Sequence, residues 1–182
     1  MTLSFKFGTV GSPAGTPSRP GGTVGGIQYS ASLGLDALEL AWVHGVRISA
    51  PACEAIKRAA EETGLALSVH APYFINLNGE EEKWPRLRQY LIDAAHFGNL
   101  AGATDIIFHP GTYFGKPADE VLKVILPRLQ DCMDEIRADG NLVSTGHIPQ
   151  VARRPIHAGI AYPPLGDQLR SKGREESSCH KE

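Results

Sequence analysis

Short apolar runs alternate with longer amphipathic segments over roughly the first 140 residues of the chain. The clearest run, residues 65–70, is apolar at nearly every position, as in a strand buried on both faces of a parallel sheet. The segments between the runs repeat apolar residues every three to four positions, which is typical of helices with one buried side. The pattern predicts four strands, each followed by a helix. The strands are at residues 3–8, 36–43, 65–70 and 104–109, and the helices at 26–33, 49–64, 84–101 and 117–137.

This alternation of strands and helices predicts an α/β fold with a parallel sheet, of the (β/α) TIM-barrel type. Right-handed crossovers place the carboxyl ends of all the strands on one face, where such sheets bind their ligands. A complete barrel of eight units needs ~250 residues, whereas this chain has 182. We therefore predict a barrel truncated to about four β/α units.

The regular pattern ends near Val143. Residues 140–143 could begin a fifth strand, but the sequence from Ser144 onward does not continue it. The chain is therefore predicted to consist of a partial barrel at residues 1–143 and an irregular, disordered tail at residues 144–182. We interpret the abrupt change at Ser144 as a truncation or a change of reading frame.

Composition narrows the class of protein. The chain is 42% hydrophobic and 21% charged, which is typical of a soluble globular domain. Its net charge of −2 lacks the basic excess common in nucleic-acid binders, and no apolar run reaches the ~18 residues of a membrane span. The three cysteines have no CxxC spacing, so we predict a reducing, cytoplasmic location, with Cys53 and Cys132 as buried or half-buried thiols on helices.

The segment after the first strand, residues 9–26, is rich in Gly, Pro, Ser and Thr and is predicted to be a long loop. It contains neither GxGxxG at a helix start nor GxxxxGK[ST], which excludes nucleotide sites of those two kinds. Arg19 is its one basic residue and is a candidate for contacting a phosphate.

Two histidines carry the strongest chemical signal. His70 and His109 each end a predicted buried strand, so the sheet should bring them to the same edge. Neutral imidazole is the commonest side-chain ligand of zinc, iron and manganese, and we predict that this pair binds a metal. The alternative is that each histidine is only a hydrogen-bonded residue at the end of a strand.

Two residues near the histidine pair each have both a functional and a structural interpretation. Glu39 on the second strand either contacts the metal or a histidine, or is a paired buried carboxylate. Tyr73 either stacks on a nucleotide at the mouth of the site or packs against the protein.

The histidine segments resemble a known family. His70-Ala-Pro-Tyr-Phe-Ile-Asn-Leu and His109-Pro-Gly-Thr are similar to the two histidine motifs of endonuclease IV, the apurinic/apyrimidinic endonucleases of the xylose isomerase-like TIM barrel group. The resemblance covers residues 3–143. It implies zinc-dependent hydrolysis of double-stranded DNA on the 5′ side of abasic sites, in base excision repair. It also implies that His70 and His109 are two ligands of a site of three zinc ions, and that Tyr73 and the loop containing Arg19 contact DNA.

The resemblance is incomplete. The family's other ligands lie on the fifth and later strands, and this sequence has no recognisable counterpart of them. We therefore expect at most partial zinc occupancy and weak or absent activity from this chain alone. Two alternatives stay open: a metal-dependent sugar isomerase or epimerase of the same superfamily, against which the Tyr73-Phe-Ile-Asn context argues, and a non-catalytic half barrel that only binds DNA or a partner. Exposed half-barrel faces would favour self-association.

Overall fold

The sheet has five parallel strands that lie side by side in the order of the sequence, β1-β2-β3-β4-β5. The computed structural model describes residues 5–141 and 143–147, with the backbone alone for 144–147. Every strand pairs with its sequence neighbour, as repeated right-handed β/α units require. The strands are β1 (Gly8–Val10), β2 (Ala37–Ala41), β3 (Ala66–His70), β4 (Asp105–Phe108) and β5 (Ser144–His147).

A helix connects each strand to the next, and consecutive helices pack against each other. They are α1 (Gly22–Ser32), α2 (Ala50–Thr63), α3 (Trp84–Leu100) and α4 (Ala118–Ala138), and a 3-10 turn at Glu81–Lys83 leads into α3. The α/β alternation predicted from the sequence is confirmed. The last three helices match their predicted positions within one or two residues. Among the described helices, none has both the length and the apolar character needed to cross a bilayer.

The residues predicted to mark the two ends of α2 behave only partly as expected. Gly64 ends the helix in the left-handed conformation, with φ of 71°, which glycine adopts without steric cost. Ser49 occupies the position before the first helical residue, but its side chain makes no capping hydrogen bond. The predicted boundary is therefore correct, and the serine contributes less to it than its residue type suggests.

The predictions at the start of the chain were wrong in detail. The first strand lies at Gly8–Val10. Of the strand predicted at residues 3–8, residues 5–7 are not in a strand and Phe7 is 70% exposed, while residues 3 and 4 lie outside the described residues. The predicted loop at residues 9–26 loses its first two residues to β1 and its last five to α1. Glycine disfavours a helix intrinsically, but Gly26 is required here because a Cβ on it would lie 2.2 Å from the Oγ of Ser12. Close packing of the loop on α1 outweighs the weak helix propensity.

The fifth strand also differs from the prediction. Residues 144–147 pair in parallel with β4, with Ile106 opposite Thr145, so regular structure extends four residues past Val143. The sequence Ser-Thr-Gly-His has little apolar character, and its strand conformation comes from backbone pairing to β4. The rest of the predicted tail, residues 148–182, lies outside the described residues.

The core lies between the sheet and the helices. Side chains of β2, β3 and β4 that face the helices are almost fully buried: Leu38, Leu40, Leu67, Val69, Ile106 and Phe108. Those on the opposite face alternate with them, and among these Glu39, Ser68 and Ile107 are only half-buried. The expectation of strands buried on both faces was therefore wrong for the described part of the chain. On β2, β3 and β4, the polar and ionisable side chains lie on the face away from the helices.

An arginine joins the last two helices. Arg88 of α3 donates hydrogen bonds to the carboxylates of Asp131 and Glu135 on α4. These carboxylates raise the pKa of Arg88 above its ordinary value. The pair of ion bridges fixes α4 against α3, beside the buried Cys132.

We expect both described cysteines to react very slowly in the native protein. The side chains of Cys53 and Cys132 are fully buried, as predicted, and burial raises the pKa of Cys53 and raises that of Cys132 to about 11. Because the thiolate is the reactive form, alkylation near neutral pH should be at least about 100-fold slower than in the unfolded chain. Mass spectrometry of iodoacetamide-treated protein, with and without guanidinium, measures this ratio. Equal rates would show that the helices open easily.

Candidate metal centre

The structure brings the two predicted histidines together at the carboxyl end of the sheet. His70 is the last residue of β3, and His109 directly follows β4. Their ring centroids are 5.4 Å apart. The strand ends are joined by a hydrogen bond of 2.8 Å from the Ala71 amide to the Ile107 carbonyl oxygen, so adjacent parallel strands determine the separation of the rings.

His70 is held in an orientation that suits a metal ligand. Its side chain is buried, and its Nδ1 lies 3.0 Å from the carbonyl oxygen of Ala71. A carbonyl oxygen can only accept, so Nδ1 carries a proton, and in the neutral tautomer that this bond selects the lone pair lies on Nε2. Histidine ligands are commonly fixed in this way by a bond from the second ring nitrogen.

His109 has a buried nitrogen that the described residues leave without a hydrogen-bond partner, the Nδ1 atom. Burial lowers the pKa of His109, and the neighbouring His70 lowers it further. The imidazole is therefore preferentially neutral, which is the form that binds metals. An unpaired buried polar atom is costly in a folded protein, and a bound cation would relieve that cost.

Tyr73 forms the outer side of this pair of rings. It packs edge-on against His70 at 5.0 Å between centroids and lies 5.5 Å from His109. Its side chain is nevertheless 54% exposed. Tyr73 thus both packs against the protein and presents a free aromatic surface beside the two histidines.

The loops that follow the two histidines are bound to each other. The Leu77 amide donates to the carbonyl oxygen of Pro110 at 2.8 Å, and the Asn78 side chain donates to that of Thr112 at 2.7 Å. Gly111 has φ of 115°, and a Cβ there would lie 1.9 Å from Oδ1 of Asn76.

These loop contacts were not found from the sequence. The Asn-Leu-Asn-Gly and Pro-Gly strings are typical of turns, and that was the only available signal. Which backbone group each asparagine would bind depends on the fold.

Glu39 lies on the same face of the sheet as the histidines but nearer the amino ends of the strands. It is half-buried, pairs in register with Ser68 two residues before His70, and accepts a hydrogen bond of 3.4 Å from the Ser68 hydroxyl. Two residues of strand correspond to about 6–7 Å. Within residues 5–141 and 143–147, no three His, Cys, Asp or Glu side chains form a group that could hold a metal ion. The described residues therefore offer two ligands, His70 and His109.

Arg19 is less closely connected to the pair. It lies on the exposed segment between β1 and α1, and none of the ring contacts around the histidines involves it. Because this segment follows β1, it leaves the sheet at the same end as the histidines. Its position is that of a peripheral basic residue, and no contact links it to the two rings.

Comparison with known proteins identifies a family and individual relatives that match much of the chain. A family model described as xylose isomerase-like TIM barrel matches residues 27–144. An uncharacterized protein of Methanocaldococcus jannaschii is 30% identical over 137 residues, which covers 75% of this chain and 48% of that protein. Endonuclease 4 of Thermus thermophilus is 31% identical over 104 residues, which covers 53% of this chain and 37% of the relative. The chain thus spans about half or less of the length of the curated relatives it matches.

Solved structures share the fold at low sequence identity. The crystal structure of endonuclease IV from Thermus thermophilus covers 70% of this chain and 47% of its own, with a TM-score of 0.52 and 23% identity. A crystal structure of D-psicose 3-epimerase covers 78% of this chain and 51% of its own, with a TM-score of 0.59 and 16% identity. At these identities the similarity shows the architecture, a parallel β/α sheet of the TIM-barrel type.

Proposed function

The chain belongs to the xylose isomerase-like TIM barrel family, and from this we propose that it is a metal-dependent phosphodiesterase acting on DNA at abasic sites, in the manner of endonuclease IV. One observation carries the proposal. His70 and His109 lie side by side, each with a ring nitrogen left free by the described residues, beneath an exposed tyrosine. Two relatives named as endonuclease 4, at 31% and 35% identity over 104 and 88 residues, support DNA as the substrate.

The donor set fits a zinc ion in part. Two imidazoles suit zinc, and His70 and His109 would hold it, but a stable site usually has three or four protein ligands. A bound zinc supplies Lewis-acid stabilisation of charge on a phosphoryl oxygen. With two ligands we expect partial occupancy in this chain and activity below that of its longer relatives.

The remaining groups of the site position the substrate. The exposed ring of Tyr73 offers a surface on which a base or a flipped sugar next to the abasic site can pack. Arg19 would meet a phosphate at the rim of the site. The Ala71 carbonyl oxygen holds the proton of His70 on Nδ1, so that the opposite nitrogen stays available to a metal.

Two other functions remain alternatives. The first is metal-dependent sugar epimerisation, and only the fold shared with D-psicose 3-epimerase supports it. A non-catalytic half barrel is favoured by exposed apolar side chains: Val10 on β1, and Leu122 and Leu126 on α4. Such surfaces promote self-association or binding of a partner.

The free, buried Cys53 and Cys132 are consistent with a reducing compartment, so we propose a cytoplasmic location.

Three assays on the purified full chain separate these functions. Zinc content is measured per chain, cleavage is measured on a duplex with one abasic site with and without EDTA, and epimerisation of a ketohexose is measured with Mn²⁺. Bound zinc with EDTA-sensitive cleavage 5′ to the abasic site supports the proposal. Epimerisation without cleavage favours the sugar enzyme, and DNA binding with neither activity favours the half barrel.

We expect Tyr73→Ser to weaken binding of the abasic duplex by about 5- to 150-fold, because stacking of one base on an aromatic ring contributes about 1–3 kcal/mol. Tyr73→Phe keeps the ring and should bind like the unaltered protein. Fluorescence anisotropy in EDTA measures both affinities without cleavage. Equal affinities for the serine and phenylalanine variants would remove Tyr73 from the DNA interface.

A further inference from the structure

Arg128 connects α4 to the loop that follows His70. Its guanidinium donates to the carbonyl oxygens of Leu77 and Gly79 at 2.8 and 2.7 Å. It also forms an ion pair with Glu81 and lies 4.8 Å from the ring centre of Trp84. The Arg128 side chain is only 11% exposed, whereas that of Glu81 is 86% exposed. The bonds to the two carbonyl oxygens are therefore the shielded contacts, and the ion pair faces solvent.

The loop is held from two sides. On one side, Arg128 binds two of its carbonyl oxygens. On the other, the same stretch contacts the loop of His109 through the bonds from Leu77 to Pro110 and from Asn78 to Thr112. Leu77 takes part in both sets, since its carbonyl oxygen accepts from Arg128 and its amide donates to Pro110.

We propose that Arg128 is a positioning residue for the histidine pair, acting by clamping the loop after His70 against the loop after His109. This rests on the proposed metal-binding role of the pair. The planar guanidinium donates hydrogen bonds to two carbonyl oxygens and a carboxylate while it lies against the Trp84 ring. The single ammonium of a lysine cannot make all of these contacts. Without the clamp, the loop can separate from Pro110, the residue after His109, and the orientation of the two imidazoles is no longer fixed, although the paired strands still keep them close.

Arg88 provides a matched control. It is also an arginine of low exposure between α3 and α4, with a side chain 22% exposed, and it forms two ion bridges. Its partners, Asp131 and Glu135, both lie on a helix, so Arg88 joins helix to helix and does not bind the loop. Replacement of either arginine should lower the melting temperature, but only Arg128 should affect the loops.

The experiment compares Arg128→Gln, Arg128→Lys and Arg88→Gln in the full chain. Zinc affinity is measured by calorimetry, hydrogen exchange of the Leu77 amide by NMR, and the melting temperature by circular dichroism. We expect Arg128→Gln to weaken zinc binding by about 10-fold or more, as loss of groups that orient metal ligands commonly does. Exchange at Leu77 should accelerate by a similar factor. Arg128→Lys should recover only part of both losses, and Arg88→Gln should change neither.

Each outcome decides the proposal. Loss of thermal stability in Arg128→Gln with Leu77 exchange and zinc affinity unchanged would show a structural role only and overturn it. Equal effects of Arg88→Gln on Leu77 exchange would overturn it as well. If the unaltered chain binds no zinc, the proposed function fails, while Leu77 exchange still tests the clamp. If Arg128→Gln does not fold, the comparison of Arg128→Lys with Arg88→Gln gives the same decision.

Discussion

Replacing either His70 or His109 with alanine is expected to reduce the zinc affinity of the chain by at least about 100-fold. The described residues supply two ligands, so each substitution removes half of that set, and one imidazole cannot retain zinc against water. Any EDTA-sensitive cleavage of the abasic duplex should disappear with the metal. Calorimetric titration with zinc, followed by metal analysis after gel filtration, measures the loss.

His96→Ala is the matched control, because His96 lies exposed on α3 and contacts only the neighbouring Phe97 among the described rings. It should bind zinc like the unaltered chain. The double variant of His70 and His109 should lose little more affinity than either single variant, because two ligands of one ion act as a unit. Additive losses would mean that each histidine binds a separate ion. Unchanged affinity in both single variants would refute the proposed site.

Gly111→Ala is expected to lower the free energy of unfolding by about 3–5 kcal/mol, near the upper end for single substitutions. The added Cβ would lie 1.9 Å from Oδ1 of Asn76, and φ of 115° is a conformation in which side chains are strained. Asn76 cannot easily turn away, because its Oδ1 accepts a hydrogen bond from the Asn78 amide. Urea unfolding followed by tryptophan fluorescence measures the change.

Gly115→Ala separates steric overlap from backbone strain. Gly115 lies in the same loop with φ of 75°, and no atom lies within 4 Å of the position of its Cβ. This substitution should cost only about 1–2 kcal/mol, the usual penalty of the left-handed conformation. If the two alanine variants unfold at the same urea concentration, the contact between Asn76 and Gly111 does not tie the loops together.

The histidine pair could be predicted from the sequence because the features that mark each histidine lie within a few neighbouring residues. A buried strand that ends on a histidine can be recognised without knowing its partner, and parallel pairing of consecutive strands then requires the two ends to meet. The helices α2, α3 and α4 were predicted for the same reason, since their apolar spacing and end signals lie within each helix. Whether Tyr73 and Arg19 contact DNA, and whether the pair binds zinc, remain predictions.

What the sequence did not reveal depends on contacts between distant segments. Gly26 is helical because Ser12 packs against it, and β5 is a strand because β4 offers unpaired backbone groups, neither of which leaves a periodic pattern. Arg128 looks like any charged residue of an amphipathic helix until the loop carbonyl oxygens are placed beside it. The face of the sheet away from the helices is only half-buried. This was missed because a short apolar run does not show whether a strand is covered on one face or on both.

The position of the histidine pair within one βαβ unit has a consequence for the order of folding. His70 and His109 come from the ends of adjacent strands joined by a single helix, α3, which is the usual connection between parallel strands. Contacts between segments close in sequence form early, since little chain entropy is lost in closing them. We therefore expect the two imidazoles to meet as soon as β3 and β4 pair, without waiting for the rest of the sheet, so that zinc can act as a template for the folding chain.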